Sequence, residues 1–196
     1  PALFIDSGAF SETPNNPFTS AVWEEKLCKY ERLTKTYGDR CVFVAPDKIG
    51  DQVETLNRWL EHQHRLEQLQ QHSYMIVPLQ KGELSQSEML HRAIGLWGNS
   101  VVAGIPFKKS ATTYAEYIDF MMASSPSRVH ILGVTPFGHR WRRITEINKQ
   151  FTETHFTFDG CRIRALIGKN RAFTRGMHKR KHLPRHQAIY ETLISL

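Results

Sequence analysis

Three cysteines in 196 residues, Cys28, Cys41 and Cys161, are too few and too far apart for a disulfide framework. They form no C-x-x-C pair, so a structural zinc site is not expected either. Cysteine usage of this kind suits a reducing compartment, and the expected location is cytoplasmic. No apolar run approaches the roughly 20 residues of a membrane span, and no signal-peptide pattern occurs in these residues. Internal repeats and low-complexity tracts are missing as well. No G-x-G-x-x-G follows the first apolar run, and no G-x-x-x-x-G-K-[ST] occurs anywhere, which removes the main support for a nucleotide-binding open sheet. The chain begins at Pro1 without a methionine.

What is present is a globular balance, 40% hydrophobic and 23% charged, with a net charge of +7 that favours an anionic partner. Short apolar runs, rich in β-branched and aromatic residues, occupy positions 3–5, 41–45, 74–79, 101–105, 129–134 and 155–158. Most are bounded by Gly, Pro or Asp and read as buried parallel strands. Amphipathic stretches lie between them. One helix is expected over 23–37. Val53, Leu56, Leu60 and Leu69 mark another over 51–71, and Ser85-x-x-Glu88 is a capping box opening a third that reaches Trp97. Tyr114, Tyr117, Ile118 and Met121 mark a further helix, Trp141, Ile144 and Ile147 the next, and 187–196 the last.

This alternation predicts an α/β fold with a parallel sheet. Polar chemistry recurs at the C-terminal ends of the runs: Asp6, Asp47, Gln80, the Gly104–Pro106 stretch and Asp159. Strand ends converging on one mouth explain that regularity, so a TIM (β/α)8-type barrel is preferred over an open doubly wound sheet. Only six strands are visible against eight, and the expectation is that two βα units precede Pro1. The expected organisation is a catalytic barrel over 1–160, with a basic segment and last helix over 161–196 packed on it.

Aspartates suit turns and caps, so one alone carries little; three at equivalent strand ends, with a glutamine, favour a shared site. One carboxylate can attack a sugar anomeric carbon while a second handles the proton, and a third can hydrogen-bond the N–H groups of a purine. The motifs in order are F-I-D-S-G-A-F from Phe4, V-A-P-D from Val44, P-L-Q-K-G from Pro78, A-G-I-P from Ala103 and T-F-D-G-C from Thr157. The set resembles the tRNA-guanine transglycosylases over nearly the whole chain. V-A-P-D, G-I-P and H-I-L-G look closest to their DNA-modifying branch, which inserts 7-deazaguanine bases into DNA. The resemblance implies Asp159 as nucleophile and Asp6 as general base, with Ser7 and Gly8 placing the turn. It implies Asp47 and Gln80 on the purine edge, and Phe10, Gly104 and Ile105 as further substrate contacts. It implies DNA or tRNA, a 7-deazaguanine base and accessory modification proteins as partners, with no cofactor, metal or membrane. The cysteine cluster of the tRNA enzymes' zinc site is absent, and Ala9 and Ala103 stand where the family carries glycines.

From Gly160 to Tyr190 no acidic residue occurs, while Arg162, Arg164, Lys169, Arg171, Arg175, Lys179, Arg180, Lys181 and Arg185 supply nine positive charges. Beside Asp159, such a stretch is expected to hold a phosphate backbone, with Phe173 available to stack on a base. His62 and His64, two apart on a helix, read as solvated residues and not as metal ligands. His130 and His155 read as packed or hydrogen-bonded, and Trp59, Trp97, Trp141 and Cys161 as packing. Four readings compete: base exchange on DNA, the same on tRNA, nucleic-acid binding without catalysis, and base removal by water.

Overall fold

The computed structural model describes residues 3–107, 111–134 and 138–159. Six strands alternate with helices along them. The strands are β1 (Leu3–Ile5), β2 (Cys41–Val44), β3 (Tyr74–Pro78), β4 (Val102–Pro106), β5 (Arg128–Leu132) and β6 (His155–Phe158). The helices are α1 (Ser20–Tyr37), α2 (Gln52–Glu61), α3 (Gln63–Gln70), α4 (Gln86–Trp97), α5 (Tyr114–Ser124) and α6 (His139–Asn148). Within the described residues the strands and helices expected from the sequence fall on these elements, apart from the helix over 51–71. That helix breaks at His62, whose φ of −109° and ψ of 12° leave the helical region. His62 is buried, contrary to its reading as a solvated residue. The expected helix over 187–196 and the basic segment lie outside the described residues.

Side-chain caps start four of the six helices, α1, α2, α4 and α5. Asp51 caps α2 by accepting the Glu54 N–H, and Ser85 with Glu88 forms the expected capping box of α4. Thr113 and Glu116 form a second box on α5, a T-x-x-E that the same rule identifies.

All five strand pairings are parallel and the strand order is β1-β2-β3-β4-β5-β6. A doubly wound sheet reverses its order at a switch point, and this sheet never does. It also curls. Four strand intervals would hold β1 and β5 about 19 Å apart in a flat sheet, yet the Phe4 and His130 rings stack at 5.3 Å. Six strands thus form a half-barrel, an arc short of the expected eight-stranded closure among the described residues.

The helices cover the convex face. Leu27, Tyr30, Phe43, Trp59, Leu66, Met75, Met89 and Tyr117 are buried in the main core there. The concave face holds a smaller cluster of Val44, Ile76 and Val102. Side chains alternate between the faces, so the parity of each strand decides which residues look inward. Because every strand runs the same way, all six C-terminal ends lie at one rim.

Candidate functional site

A cleft of about 410 Å³ opens at that rim, and every strand contributes to its wall. Asp6 and Ser7 follow β1, Asp47 follows β2, Gln80 follows β3, Pro106 ends β4, Leu132 ends β5 with Gly133 after it, and Asp159 follows β6. Phe10 and Ile49 flank it as large apolar side chains, 59% and 44% exposed. Such exposure at the mouth of a concave site leaves apolar surface for a ligand to cover.

The polar floor is a connected network. Ser7 Oγ donates to Asp47 Oδ1 at 2.7 Å, and Gln80 Nε2 donates to Asp47 Oδ2 at 2.9 Å. Gln80 Oε1 accepts the Gly50 N–H at 3.1 Å, which fixes the amide's orientation. Burial pushes the Asp47 carboxyl up to about 6, against the pull of the Ser7 and Gln80 hydrogen bonds. The nearby Asp6 raises it further, while the Arg58 cation lowers it.

Asp6 and Asp159 are different. Both are exposed at the cleft. The Asp6 carboxylate accepts no hydrogen bond among the described residues; its backbone carbonyl accepts from Tyr30 Oη at 3.4 Å. Asp159 Oδ1 accepts the Gly133 N–H at 2.8 Å, which ties β6's end to the loop after β5. The turn between Asp6 and the floor is strict. Gly8 has a φ of 74°, and a Cβ there would meet Lys26 Nζ at 2.8 Å. Lys26 Nζ donates to the Ser7 carbonyl at 2.9 Å while lying over the Phe18 ring at 4.6 Å.

Of the residues singled out from the sequence, Asp6, Ser7, Phe10, Asp47, Gln80 and Asp159 line this one cleft. Gly8 shapes the turn but does not line it. Gly104 lies on the concave face, where a Cβ would meet Ile76 Cγ2 at 2.7 Å and Leu132 Cδ1 at 3.2 Å; its bareness lets interior side chains pack. Ile105 is fully buried in the convex-face core, because odd positions of β4 look toward the helices. Arg162, Arg164, Lys169, Arg171, Arg175, Lys179, Arg180 and Lys181 lie outside the described residues, as do Cys161 and Phe173. His130 packs as read, stacked on Phe4 and within 2.7 Å of Thr157 Oγ1 through Nδ1. Trp59 and Trp97 meet edge to face at 5.7 Å.

Sequence reasoning missed Glu12. Its side chain is buried with Arg58 at 2.9 Å and Lys48 at 2.7 Å. Burial alone would raise its carboxyl, but hydrogen bonds from Arg58, Lys48 and the Phe18 N–H overcome that and hold it down at about 2. The ion pair joins the loop after β1 to α2. No cluster of three or more His, Cys, Asp or Glu suited to a metal ion occurs among the described residues. Among them, too, no helix is long and apolar enough to cross a membrane.

Comparison with family models, curated proteins and solved structures returned no match to this chain.

Proposed function

We propose that this chain is the catalytic part of a base-exchanging glycosyltransferase. It replaces guanine in DNA with a 7-deazaguanine derivative on a scaffold of the (β/α)8 type. The observation that carries the reading is the cleft itself: two exposed carboxylates, Asp6 and Asp159, stand above a buried carboxylate floor of Asp47, Ser7 and Gln80. The ordered motif resemblance to the transglycosylases, above all to their DNA-modifying branch, supports the same assignment.

The chemistry follows from the roles. Asp159 attacks C1′ of the nucleotide; the C1′–N9 bond breaks and its electron pair leaves with guanine, which takes up a proton from water. Asp6 then removes the proton from N9 of the incoming base, which attacks C1′ and releases Asp159. Asp47 and Gln80 accept from and donate to the purine edge, and Phe10 covers a ring face. Retaining chemistry of this kind operates with carboxyl groups roughly 5 Å apart.

Incubation with DNA or tRNA and labelled guanine tests the reading. Label should enter DNA. Entry into tRNA would move the assignment to the tRNA branch, release of guanine without incorporation would make the protein a hydrolase, and no turnover would leave a binding protein. The wild type should form a covalent protein–DNA adduct that survives denaturing gels, and Asp159→Asn should abolish both it and incorporation, with DNA affinity retained. An adduct that survives Asp159→Asn would place the nucleophile elsewhere.

A further inference from the structure

Helix α2 turns a largely polar face inward. It buries Gln52, Thr55, Arg58 and Trp59, whereas Val53 and Leu60 are 65% and 60% exposed. Three of the inward side chains are polar and spaced three apart, and a polar group is buried at a cost unless it is paired. Each is paired, and together they reach the three rim loops after β1, β2 and β3.

Gln52 Nε2 donates to the carbonyls of Gln80 at 2.8 Å and Leu84 at 2.9 Å, and its Oε1 accepts the Leu84 N–H at 2.9 Å. It holds the loop after β3. Gly82 makes the room, since a Cβ there would lie 2.6 Å from Gln52. Thr55 Oγ1 accepts the Lys48 N–H at 3.0 Å and donates to the Asp51 carbonyl at 2.7 Å, holding the loop after β2. Arg58 Nη1 donates to the Asp47 carbonyl at 2.7 Å and to Glu12 Oε2 at 2.9 Å, and Nη2 donates to Glu12 Oε1 at 2.9 Å. That guanidinium ties the loop after β1 to the loop after β2.

These loops carry Gln80, then Asp47 and Ile49, then Ser7 and Phe10. We infer that Gln52, Thr55 and Arg58 are positioning residues, and that α2 is the common support setting the separation of Gln80, Asp47 and Phe10 around a ligand in the cleft. The inference rests on the base-exchange reading only for the identity of that ligand. It also explains why Val53 and Leu60 face outward: beside Trp59, the inward face is needed as a set of hydrogen-bonding hooks.

Amide hydrogen exchange on the full chain tests it, with one reporter in each loop: Leu84, Asp51 and Ser11. Gln52→Met should speed exchange at Leu84, Thr55→Val at Asp51 and Arg58→Met at Ser11. Each change should reach about fivefold, the effect of losing one net hydrogen bond; Gln52→Met and Thr55→Val should leave the other two reporters within about twofold, and Arg58→Met, which also frees the Asp47 carbonyl, should leave only Leu84 so. Glu12→Gln weakens the same hold as Arg58→Met and reads the Ser11 loop if that variant does not fold. Equal acceleration at all three reporters, or none, would overturn the inference. Guanine titrated by calorimetry should bind each loosened variant about fivefold more weakly, and unchanged affinity in loosened variants would also overturn it. A wild type that does not bind guanine would remove the base-exchange reading and leave the exchange pattern to decide this one.

Discussion

Asp47 and His130 are both buried, and their shifts act on folding stability in opposite senses. Burial penalises the imidazolium and lowers His130 from 6.5 to about 4. Its contribution to stability is complete above pH 6.5 and is lost as the pH falls toward 4. Burial penalises the carboxylate and raises Asp47 from 3.8 to about 6. Its contribution is complete below pH 3.8 and is lost as the pH rises through 6. At ~1.4 kcal/mol per unit the two amount to about 3 kcal/mol each and nearly cancel between pH 4 and 6.5. Urea midpoints should therefore shift less across that window in the wild type than in a variant that lacks either group. His130→Gln should leave Asp47 uncompensated, so its midpoint rises as the pH falls from 6.5 to 4, and Asp47→Asn should show the reverse slope. Slopes of the same sign in both variants would refute the assignment. Glu12, held at about 2, contributes fully above 4.5 and weakens only at lower pH.

Among the elements, strands and most helices were legible because each apolar run is short, bounded and of the expected period. Helix α2 shows the limit. Val53, Leu56 and Leu60 establish helical spacing, but a period identifies a stripe without saying which way it faces. Here the loops' demand for polar partners outweighed the burial of Val53 and Leu60. Replacing both by lysine should change stability by no more than about 0.5 kcal/mol in denaturant titration. Trp59→Ala, on the inward face, should cost about 3–5 kcal/mol. Comparable losses in both variants would mean the helix is oriented otherwise. The site divides the same way. Asp6, Asp47, Gln80 and Asp159 were readable because strand ends announce themselves in sequence. Glu12 and Arg58, 46 positions apart, meet only through loops whose path no local pattern encodes. The i, i+3, i+6 polar series of Gln52, Thr55 and Arg58 was the one available signal.

For the whole molecule, charge is unevenly divided. Residues 160–196 carry nine cations and one acid, whereas the first 159 carry 17 cations and 18 acids, so the net +7 belongs to the C-terminal segment. Binding to nucleic acid should accordingly depend on that segment. Neutralising Arg171, Arg175, Lys179, Arg180 and Lys181 should weaken DNA affinity and reduce the slope of log K against log salt by about one unit for each phosphate no longer engaged. An unchanged slope would refute its role. The curl of the sheet has a consequence of another kind. Among the described residues each strand pairs only with its neighbour in sequence, so the sheet can grow one unit at a time as the chain is made, every new strand finding its partner already in place. The stack of Phe4 on His130 spans 126 positions and must wait for the fifth strand. A nascent chain can therefore hold ordered βα units and still have no cleft, because the rim gathers only when the growing arc curls β5 back over β1.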